Sequence, residues 1–300
     1  MKHLLSIESM TPAQIHEVLD LAVEMKANRG RHAEHPLRHQ CWGLIFSKSS
    51  TRTRVSFEVG IRELGGDVMF LSSNDIQLGR GEPIADTARV MGRMLHGAVI
   101  RTFAQKDVED FARLSGIPTI NALTDAEHPC QILADLQTIR EALGSVEGKI
   151  VTFVGDGACN VPCSWIWAAA KLGFELRIAA PKKFQPPREL LERLNARNIF
   201  VTDDLDHAAE GADVLYTDVW VSMGKEEEAA FRLAQMGHYQ ISSGLVAKAK
   251  PGALVMHCLP AYRGKEITAE VFEQHAATIF NQAENRLHAQ KAVLSLLTRG

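Results

Sequence analysis

Several features that would mark a specialised class of protein are missing from this sequence. Its five cysteines form no CxxC motif and no paired spacing, which argues against a disulfide framework and against a structural zinc site. It contains no run of about 18 apolar residues and no apolar signal core at its start, so we expect a cytoplasmic protein. The net charge of −3 is too small to attract nucleic acid or an anionic membrane.

Nucleotide-binding signatures are also incomplete. The GxxxxGK[ST] element of ATP-binding P-loops is absent. Gly155-Asp-Gly157 follows a predicted strand, but Asn160 stands at the third glycine position, and no ribose-binding acid follows about 20 residues later. These gaps disfavour an NAD-dependent dehydrogenase. No carboxylate cluster suited to magnesium occurs, so the sequence predicts neither a metal nor a cofactor.

The sequence does contain a regular alternation of strand and helix patterns. Its 300 residues are 46% hydrophobic and 23% charged, which is typical of a folded chain large enough for two domains. The pattern predicts an α/β protein with two doubly wound parallel sheets joined by linking helices. A helical stripe over 129–143 ends at Gly144-Ser145, which places the domain boundary near residue 145. Predicted strands cover 43–46, 68–71, 98–100, 118–121, 150–154, 176–179, 199–202, 214–217 and 253–257.

The segment 47–58 carries the densest set of polar groups. It follows an apolar strand and precedes a helical pattern, so Ser50 or Thr51 is expected near the helix cap. Hydroxyls, Lys48, Arg52 and Arg54 would then surround a helix N-terminus, where unpaired N–H groups and the helix dipole favour an anion. The segment therefore predicts a phosphate site. The alternative is a capped helix with a solvated basic edge.

Other reactive residues follow the predicted strands in both halves of the chain. Ligands of doubly wound sheets bind beyond the carboxyl ends of the strands, so this placement favours an enzyme. Individually, His128 could be a satisfied buried histidine and Cys258 an inert core thiol. Asp218 is harder to dismiss, because an acid directly after an apolar strand needs a partner. The residues so placed are Arg101, His128, Gln131, Asn160, Asp218 and Cys258.

Five segments together resemble the successive signatures of the ornithine carbamoyltransferases. They occur in the right order and at the right spacing, and the resemblance extends from about Leu4 to Leu297. The first two signatures are shared by all carbamoyltransferases, whereas the third and fourth indicate ornithine rather than aspartate. The segments are Ser50-Thr-Arg-Thr-Arg54, His128-Pro-Cys-Gln131, Asp218-Val-Trp-Val-Ser-Met-Gly224, His257-Cys-Leu-Pro260 and Glu284-Asn-Arg286.

This resemblance implies transfer of a carbamoyl group from carbamoyl phosphate to the δ-amine of L-ornithine. It implies a carbamoyl-phosphate domain over 1–145, to which the closing helix 284–300 returns, and an ornithine domain over 146–283. Catalytic roles are implied for Arg101, His128, Asp218 and Cys258. The implied carbamoyl-phosphate set is Ser50, Thr51, Arg52, Thr53, Gln77, Arg101, His128, Gln131, Cys258, Leu259 and Arg286, and the ornithine set is Asn160, Asp218, Ser222 and Met223.

The resemblance also implies a homotrimer with active sites at subunit interfaces, because Gln77 matches a residue that reaches a neighbouring site. It leaves open whether trimers assemble further and in which direction the cell runs the reaction. Cys159 departs from the family, where most relatives carry a second asparagine beside Asn160. Three alternatives remain open: another amine substrate (putrescine, N-acetylornithine or lysine), a dehydrogenase, and a catalytically silent binding subunit.

Overall fold

The computed structural model describes residues 1–72, 81–222 and 224–299 and divides the chain into two compact units. Unit 1 consists of Met1–Gln137 and Glu284–Gly300, and unit 2 is Thr138–Ala283. Both crossings between the units lie inside helices, one over Pro129–Leu143 and the other over Ala276–Leu297.

Unit 1 is built on a four-stranded parallel sheet. Its strands are ordered β2-β1-β3-β4, so the chain reverses direction across the sheet between β1 and β3. The loops after β1 and β3 therefore flank a topological switch point, where doubly wound folds bind ligands. The elements are α1 (Pro12–Ala27), β1 (Cys41–Phe46), α2 (Thr51–Glu63), β2 (Asp67–Ser72), α3 (Ile84–Met91), β3 (Gly97–Arg101), α4 (Gln105–Ser115), β4 (Thr119–Leu123) and α5 (Pro129–Leu143).

The core of unit 1 fixes β1 against β3. Trp42 lies opposite Gly97 in the register, and a Cβ atom at Gly97 would come within 2.5 Å of the Trp42 ring. Only glycine therefore allows the two strands to pair around the buried indole. The same register places Phe46 opposite Arg101, so the first polar residues after β1 emerge beside the end of β3. Strand pairing thus brings the segment 47–53 next to Arg101.

Unit 2 contains a five-stranded parallel sheet with the order β7-β6-β5-β8-β9. Its switch point lies between β5 and β8, so the turns after these two strands are adjacent at the carboxyl edge of the sheet. The elements are β5 (Ile150–Val154), α6 (Asn160–Leu172), β6 (Glu175–Ala179), α7 (Arg188–Leu194), β7 (Ile199–Thr202), α8 (Leu205–Ala209), β8 (Val214–Thr217), α9 (Ala229–Met236), α10 (Ser243–Val246), β9 (Leu254–His257), α11 (Ala269–Gln274) and α12 (Ala276–Leu297).

The prediction of two parallel-sheet α/β domains is confirmed, and two details near the C-terminus differ from it. The pattern predicts no helix over 269–274, where α11 forms, and it begins the last helix at 283 instead of Ala276. Thr278, Ile279 and Phe280 have weak helix propensity. Packing overrides that propensity, because Ile279 is buried and the Phe280 ring meets Phe272 edge-on.

None of the helices in the described ranges combines the length and the apolar character that crossing a bilayer requires.

Candidate active site

The start of α2 forms the polar centre of unit 1. Ser50 is the N-cap, and its hydroxyl oxygen accepts the backbone N–H of Thr53 at 3.3 Å. The Ser50 hydroxyl also donates to Thr53 Oγ1 at 2.9 Å, while Thr51 and Arg52 remain exposed at the helix start. The first-turn N–H groups and the helix dipole make this end attractive to an anion. The expected cap and the polar turn are therefore both present.

Buried cationic and polar side chains surround this turn. Arg286, on the part of α12 that belongs to unit 1, donates from Nη2 to Thr53 Oγ1 at 2.9 Å. Arg101, at the end of β3, and His128, directly before α5, are also buried. Gln131, one turn into α5, is buried and donates to Asp135 Oδ1 at 2.8 Å. The end of β3, the start of α5 and helix α12 thus supply buried polar groups around the N-terminus of α2.

His128 has a strongly perturbed protonation equilibrium. Burial lowers its pKa well below the ordinary value of 6.5, and the positive charges of Arg286 and Arg101 lower it further. The imidazole is therefore neutral near pH 7, and the two guanidinium groups are close enough to act on it. A neutral imidazole between two arginines can hydrogen-bond a ligand oxygen without adding a third positive charge.

Two other basic residues of the segment 47–58 are engaged elsewhere. Lys48 forms an ion pair with Asp125 and lies 4.2 Å from the centre of the Phe103 ring. Arg54 pairs with Glu58 at 2.6 Å and stacks over Phe70 at 3.8 Å. Arg52 lies exposed in the first turn of α2, whereas Lys48 and Arg54 are each held by an acid and an aromatic ring. The structure therefore separates the local basic cluster into one candidate ligand contact and two supporting residues.

In unit 2, a tight turn follows β5 and leads into α6. Gly155 adopts φ +129°, which side chains rarely allow, and Asn160 begins the helix directly after the N-cap Cys159. The Cys159 thiol donates to the backbone oxygen of Asp156 at 3.2 Å. Burial raises the pKa of Cys159 well above its ordinary value, and Asp156 and Asp218 raise it further, so this thiol stays protonated.

Asp218 and Cys258 meet at the carboxyl edge of the second sheet. The Cys258 thiol donates to Asp218 Oδ1 at 2.9 Å, and the Val219 N–H donates to the same oxygen at 2.7 Å. Burial raises the pKa of Asp218, while the Cys258 thiol and the Val219 N–H partly oppose that rise. A buried carboxylate of this kind favours a cationic ligand group, which would offset its desolvation.

His257 and Glu266 position the Cys258 turn; His257 lies in the fourth signature, but the sequence predicts this role for neither residue. His257 Nδ1 accepts the Leu259 N–H at 2.8 Å, so the ring proton lies on Nε2, which is 3.1 Å from Glu266 Oε1. Leu259 adopts φ +58°, and Glu266 Oε1 also accepts the Tyr262 N–H at 2.5 Å. The sequence shows only that Glu266 follows His257 by nine residues, and this spacing does not predict a contact without the fold.

A second positioning contact was also missed. Arg232 on α9 binds Asp156 Oδ2 at 2.6 Å and Glu228 Oε2 at 2.8 Å, and its Nη1 lies 3.5 Å from the Trp220 backbone oxygen. It therefore ties the loop after β8 to the turn after β5. Ser222, which is partly buried, lies in that loop.

Gln77 and Met223 lie outside the described residues. Among the residues that are described, no three His, Cys, Asp or Glu side chains cluster closely enough to hold a metal ion.

Comparison with known protein families gives two adjacent matches. Residues 2–141 match the model "Aspartate/ornithine carbamoyltransferase, carbamoyl-P binding domain", and residues 147–297 match "Aspartate/ornithine carbamoyltransferase, Asp/Orn binding domain". The chain belongs to the aspartate/ornithine carbamoyltransferase family. The resemblance drawn from the five signatures is thereby confirmed, and the Gly155-Asp-Gly157 turn lies in the part matched to an Asp/Orn-binding domain, not to a dinucleotide-binding one.

Relatives within this family match the chain over its whole length. The ornithine carbamoyltransferase of Akkermansia muciniphila is 57% identical over 99% of this chain and 98% of its own length. That of Synechococcus elongatus is 49% identical over 99% and 97%. Among solved structures, the anabolic ornithine carbamoyltransferase of Campylobacter jejuni is 40% identical, with a TM-score of 0.93 and coverage of 100% and 99%. The Pyrococcus furiosus enzyme is 42% identical, with a TM-score of 0.93 and coverage of 100% and 97%.

The perturbed His128 gives a prediction about pH. Because its folded pKa lies below the unfolded value of 6.5, its neutral form contributes stability above about pH 6.5 that is lost as the pH falls towards the folded pKa. We expect the His128 imidazole NMR signals, assigned with His128→Gln, to stay constant between about pH 8 and pH 6. A midpoint near 6.5 would contradict the burial and the adjacent arginines.

Proposed function

We propose that this chain transfers the carbamoyl group of carbamoyl phosphate to the δ-amine of L-ornithine, giving L-citrulline and phosphate. The observation that carries the proposal is its full-length similarity, at 46–57% identity, to relatives named ornithine carbamoyltransferase. The geometry supports it independently: unit 1 holds an anion-favouring helix start, and unit 2 holds a buried carboxylate that favours an ammonium group.

In this proposal, residues 1–145 with 284–300 bind carbamoyl phosphate. The phosphate contacts the first turn of α2, where Ser50, Thr51, Arg52 and Thr53 supply hydroxyl, N–H and guanidinium donors. The carbamoyl oxygen accepts from the buried donors that follow β3 and β4, and Arg286 adds a contact from α12. The buried residues in this set are Arg101, His128, Gln131 and Arg286. A neighbouring subunit contributes Gln77 in the same proposal.

Residues 146–283 bind ornithine in the same proposal. Asn160, at the start of α6, contacts the α-carboxylate, since a helix N-terminus suits an anion. Asp218 pairs with the α-ammonium, together with Ser222 and Met223. Cys258 and Leu259 contact the reacting end of the substrate and the carbamoyl group. Cys159 offers a weak thiol donor where relatives carry an amide, so fewer hydrogen bonds hold the carboxylate here.

The reaction requires a neutral amine. An alkylammonium with a pKa near 10.4 is almost wholly protonated at pH 7, and removing its proton costs about 4–5 kcal/mol. Desolvation and the nearby positive charges of Arg52 and Arg101 lower that pKa, while Asp218 fixes the α-ammonium and therefore the orientation of the chain. The amine then attacks the carbonyl carbon and forms a tetrahedral intermediate.

The oxyanion of that intermediate needs preorganised donors. Thr53, Arg101 and neutral His128 supply them, and a donor of this kind contributes roughly 3–4 kcal/mol to the transition state. Collapse of the intermediate expels phosphate, which can itself accept the proton released by the amine. The proposed site therefore needs no dedicated general acid, in keeping with its many donors and few carboxylates.

An assay of citrulline formation tests the function directly. The purified chain with carbamoyl phosphate should form citrulline with L-ornithine far faster than it carbamoylates putrescine, N-acetylornithine or lysine. Arg101→Leu should reduce turnover by about 100-fold or more, because it removes a buried donor to the oxyanion. Faster carbamoylation of another amine would show that ornithine is not the substrate. Near-normal turnover of Arg101→Leu would show that Arg101 does not stabilise the oxyanion.

The contact between Cys258 and Asp218 gives a second kinetic prediction. The thiol lowers the pKa of Asp218, so Cys258→Ala should raise that pKa and move the acidic limb of kcat/KM for ornithine to higher pH. Cys258→Ser retains a donor and is the matched control, with a smaller shift. Identical pH profiles for the wild type and Cys258→Ala would show that the thiol only packs.

We also propose a homotrimer in the cytoplasm, where the five cysteines, none of which forms a disulfide, stay reduced. Unit 1 exposes Val55 on α2 (54% exposed) and Met69 on the edge strand β2 (49% exposed), which suits contact with a second copy.

Sedimentation should give about three times the chain mass of 33.1 kDa. Val55→Asp with Met69→Asp should dissociate the assembly, whereas Val23→Asp on α1 should not; a wild-type monomer would contradict the proposal.

A further inference from the structure

Helix α12 contacts both ends of helix α2. Arg286 donates to Thr53 in the first turn of α2 at 2.9 Å, and Lys291 donates from Nζ to Glu63 Oε2, in the last residue of α2, at 2.6 Å. Ten residues of helix separate Thr53 from Glu63, a distance of about 15 Å. All four residues belong to unit 1, so these two contacts lie within one compact body.

Between the two polar contacts, the helices approach closely at Gly60. A Cβ atom there would lie 3.2 Å from Lys291 Cγ and 3.4 Å from Leu287 Cδ1. The aliphatic stem of Lys291 therefore packs on the bare backbone of α2, and its ammonium extends beyond Gly60 to reach Glu63. Packing at Gly60 sets the separation of the helices, and the buried Phe57 and Ile61 hold the apolar face of α2 in the core. The contact between Lys291 and Glu63 adds a directional bond at the far end of α2.

The Lys291 ammonium is fully buried and has two close partners. Besides Glu63, it lies 2.5 Å from His32 Nε2. Lysine has no acceptor, so His32 accepts through Nε2 and carries its proton on Nδ1. Burial lowers the pKa of His32, and the Lys291 charge lowers it further, in keeping with a neutral ring. Glu63 is also bound by the Arg29 Nε atom at 3.1 Å.

Net stability is a weak explanation for such a group. A buried ion pair loses roughly as much through desolvation as it gains from attraction, and an apolar pair of similar size often serves as well or better. A charged hydrogen bond adds direction, because donor and acceptor must align. Lys291 therefore adds to the apolar packing of α2 a bond whose direction is fixed at Glu63.

We propose that Lys291 is a positioning residue for the phosphate site: by holding Glu63 at the far end of α2, it fixes the orientation of the first turn of α2 relative to Arg286. This inference rests on the proposed function, in which that turn and Arg286 bind the phosphate of carbamoyl phosphate. Misplacement of a binding group by about 1 Å can reduce catalysis 100-fold, so the second anchor matters although it touches no substrate.

The test replaces the ion pair by an apolar pair, Lys291→Met with Glu63→Leu, which leaves neither charge buried without its partner. Thermal unfolding should show a folded protein of near wild-type melting temperature. Calorimetric binding of inorganic phosphate should weaken by about tenfold, and KM for carbamoyl phosphate should rise in parallel. Phosphate affinity and KM within twofold of wild type in this folded variant would overturn the inference.

The matched control is Lys26→Met. Lys26 donates to Asn285 Oδ1 at 2.7 Å, beside Arg286 on the same helix, but this bond does not involve α2. The control should keep wild-type phosphate affinity; an equal loss would show that any loosening of α12 is enough, which overturns a specific role for Lys291. If the double variant does not fold, Glu63→Ala removes the acceptor at the end of α2, where the Glu63 side chain is 22% exposed. This variant should also weaken phosphate binding, and unchanged affinity in the folded protein would overturn the inference.

Phosphate binding separates this inference from the proposed function. If the wild type binds phosphate but does not carbamoylate ornithine, the proposed function is wrong. The effect of Lys291 on phosphate affinity is then still decided by the calorimetric comparison of the variants. If the wild type binds no phosphate, the α2 site and the role of Lys291 fail together.

Discussion

The burial of Arg101 and Arg286 beside the first turn of α2 is the interaction on which the arrangement of unit 1 depends. Two cations and a helix N-terminus create a strongly positive site, and buried charge of one sign is stable only when an opposite charge or hydrogen bonds offset its desolvation. His128 responds by remaining neutral, and Thr53 accepts from Arg286. An anionic ligand, such as the phosphate of the proposed function, would bring an opposite charge to this site.

Unit 2 has the opposite sign at its own switch point. Asp218 is a buried acid whose pKa is raised by burial. The Cys258 thiol and the Val219 N–H donate to it, and neither of these donors carries a positive charge. Such a group favours a ligand ammonium. The two units thus prefer groups of opposite charge, an acyl phosphate and an amino acid, which is consistent with a small net charge over the whole chain.

Local chemistry in the sequence predicts the helix cap at Ser50, but it does not predict the partners of the basic residues beside it. The cap at Ser50 follows from hydroxyl and helix patterns, and the structure has it there. The sequence does not show which residues of the basic cluster beside it face a ligand. Lys48 and Arg54 are held by an aspartate, a glutamate and aromatic rings whose positions depend on other elements. A side chain's available partners are fixed by packing, so composition alone overestimates how many charges face a ligand.

The sequence by itself determined the order of strands and helices, the polar residues at strand ends and the family signatures, because these depend on short-range periodicity and on residue type. Only the tertiary structure decided the pairings: Thr53 with Arg286 across 233 residues, Asp218 with Cys258 across 40, and Lys291 with Glu63 across 228. Such contacts arise from sheet order and helix packing, in which residues distant in the chain become neighbours. The periodicity of apolar and polar residues along the chain does not indicate which distant residue a side chain will contact.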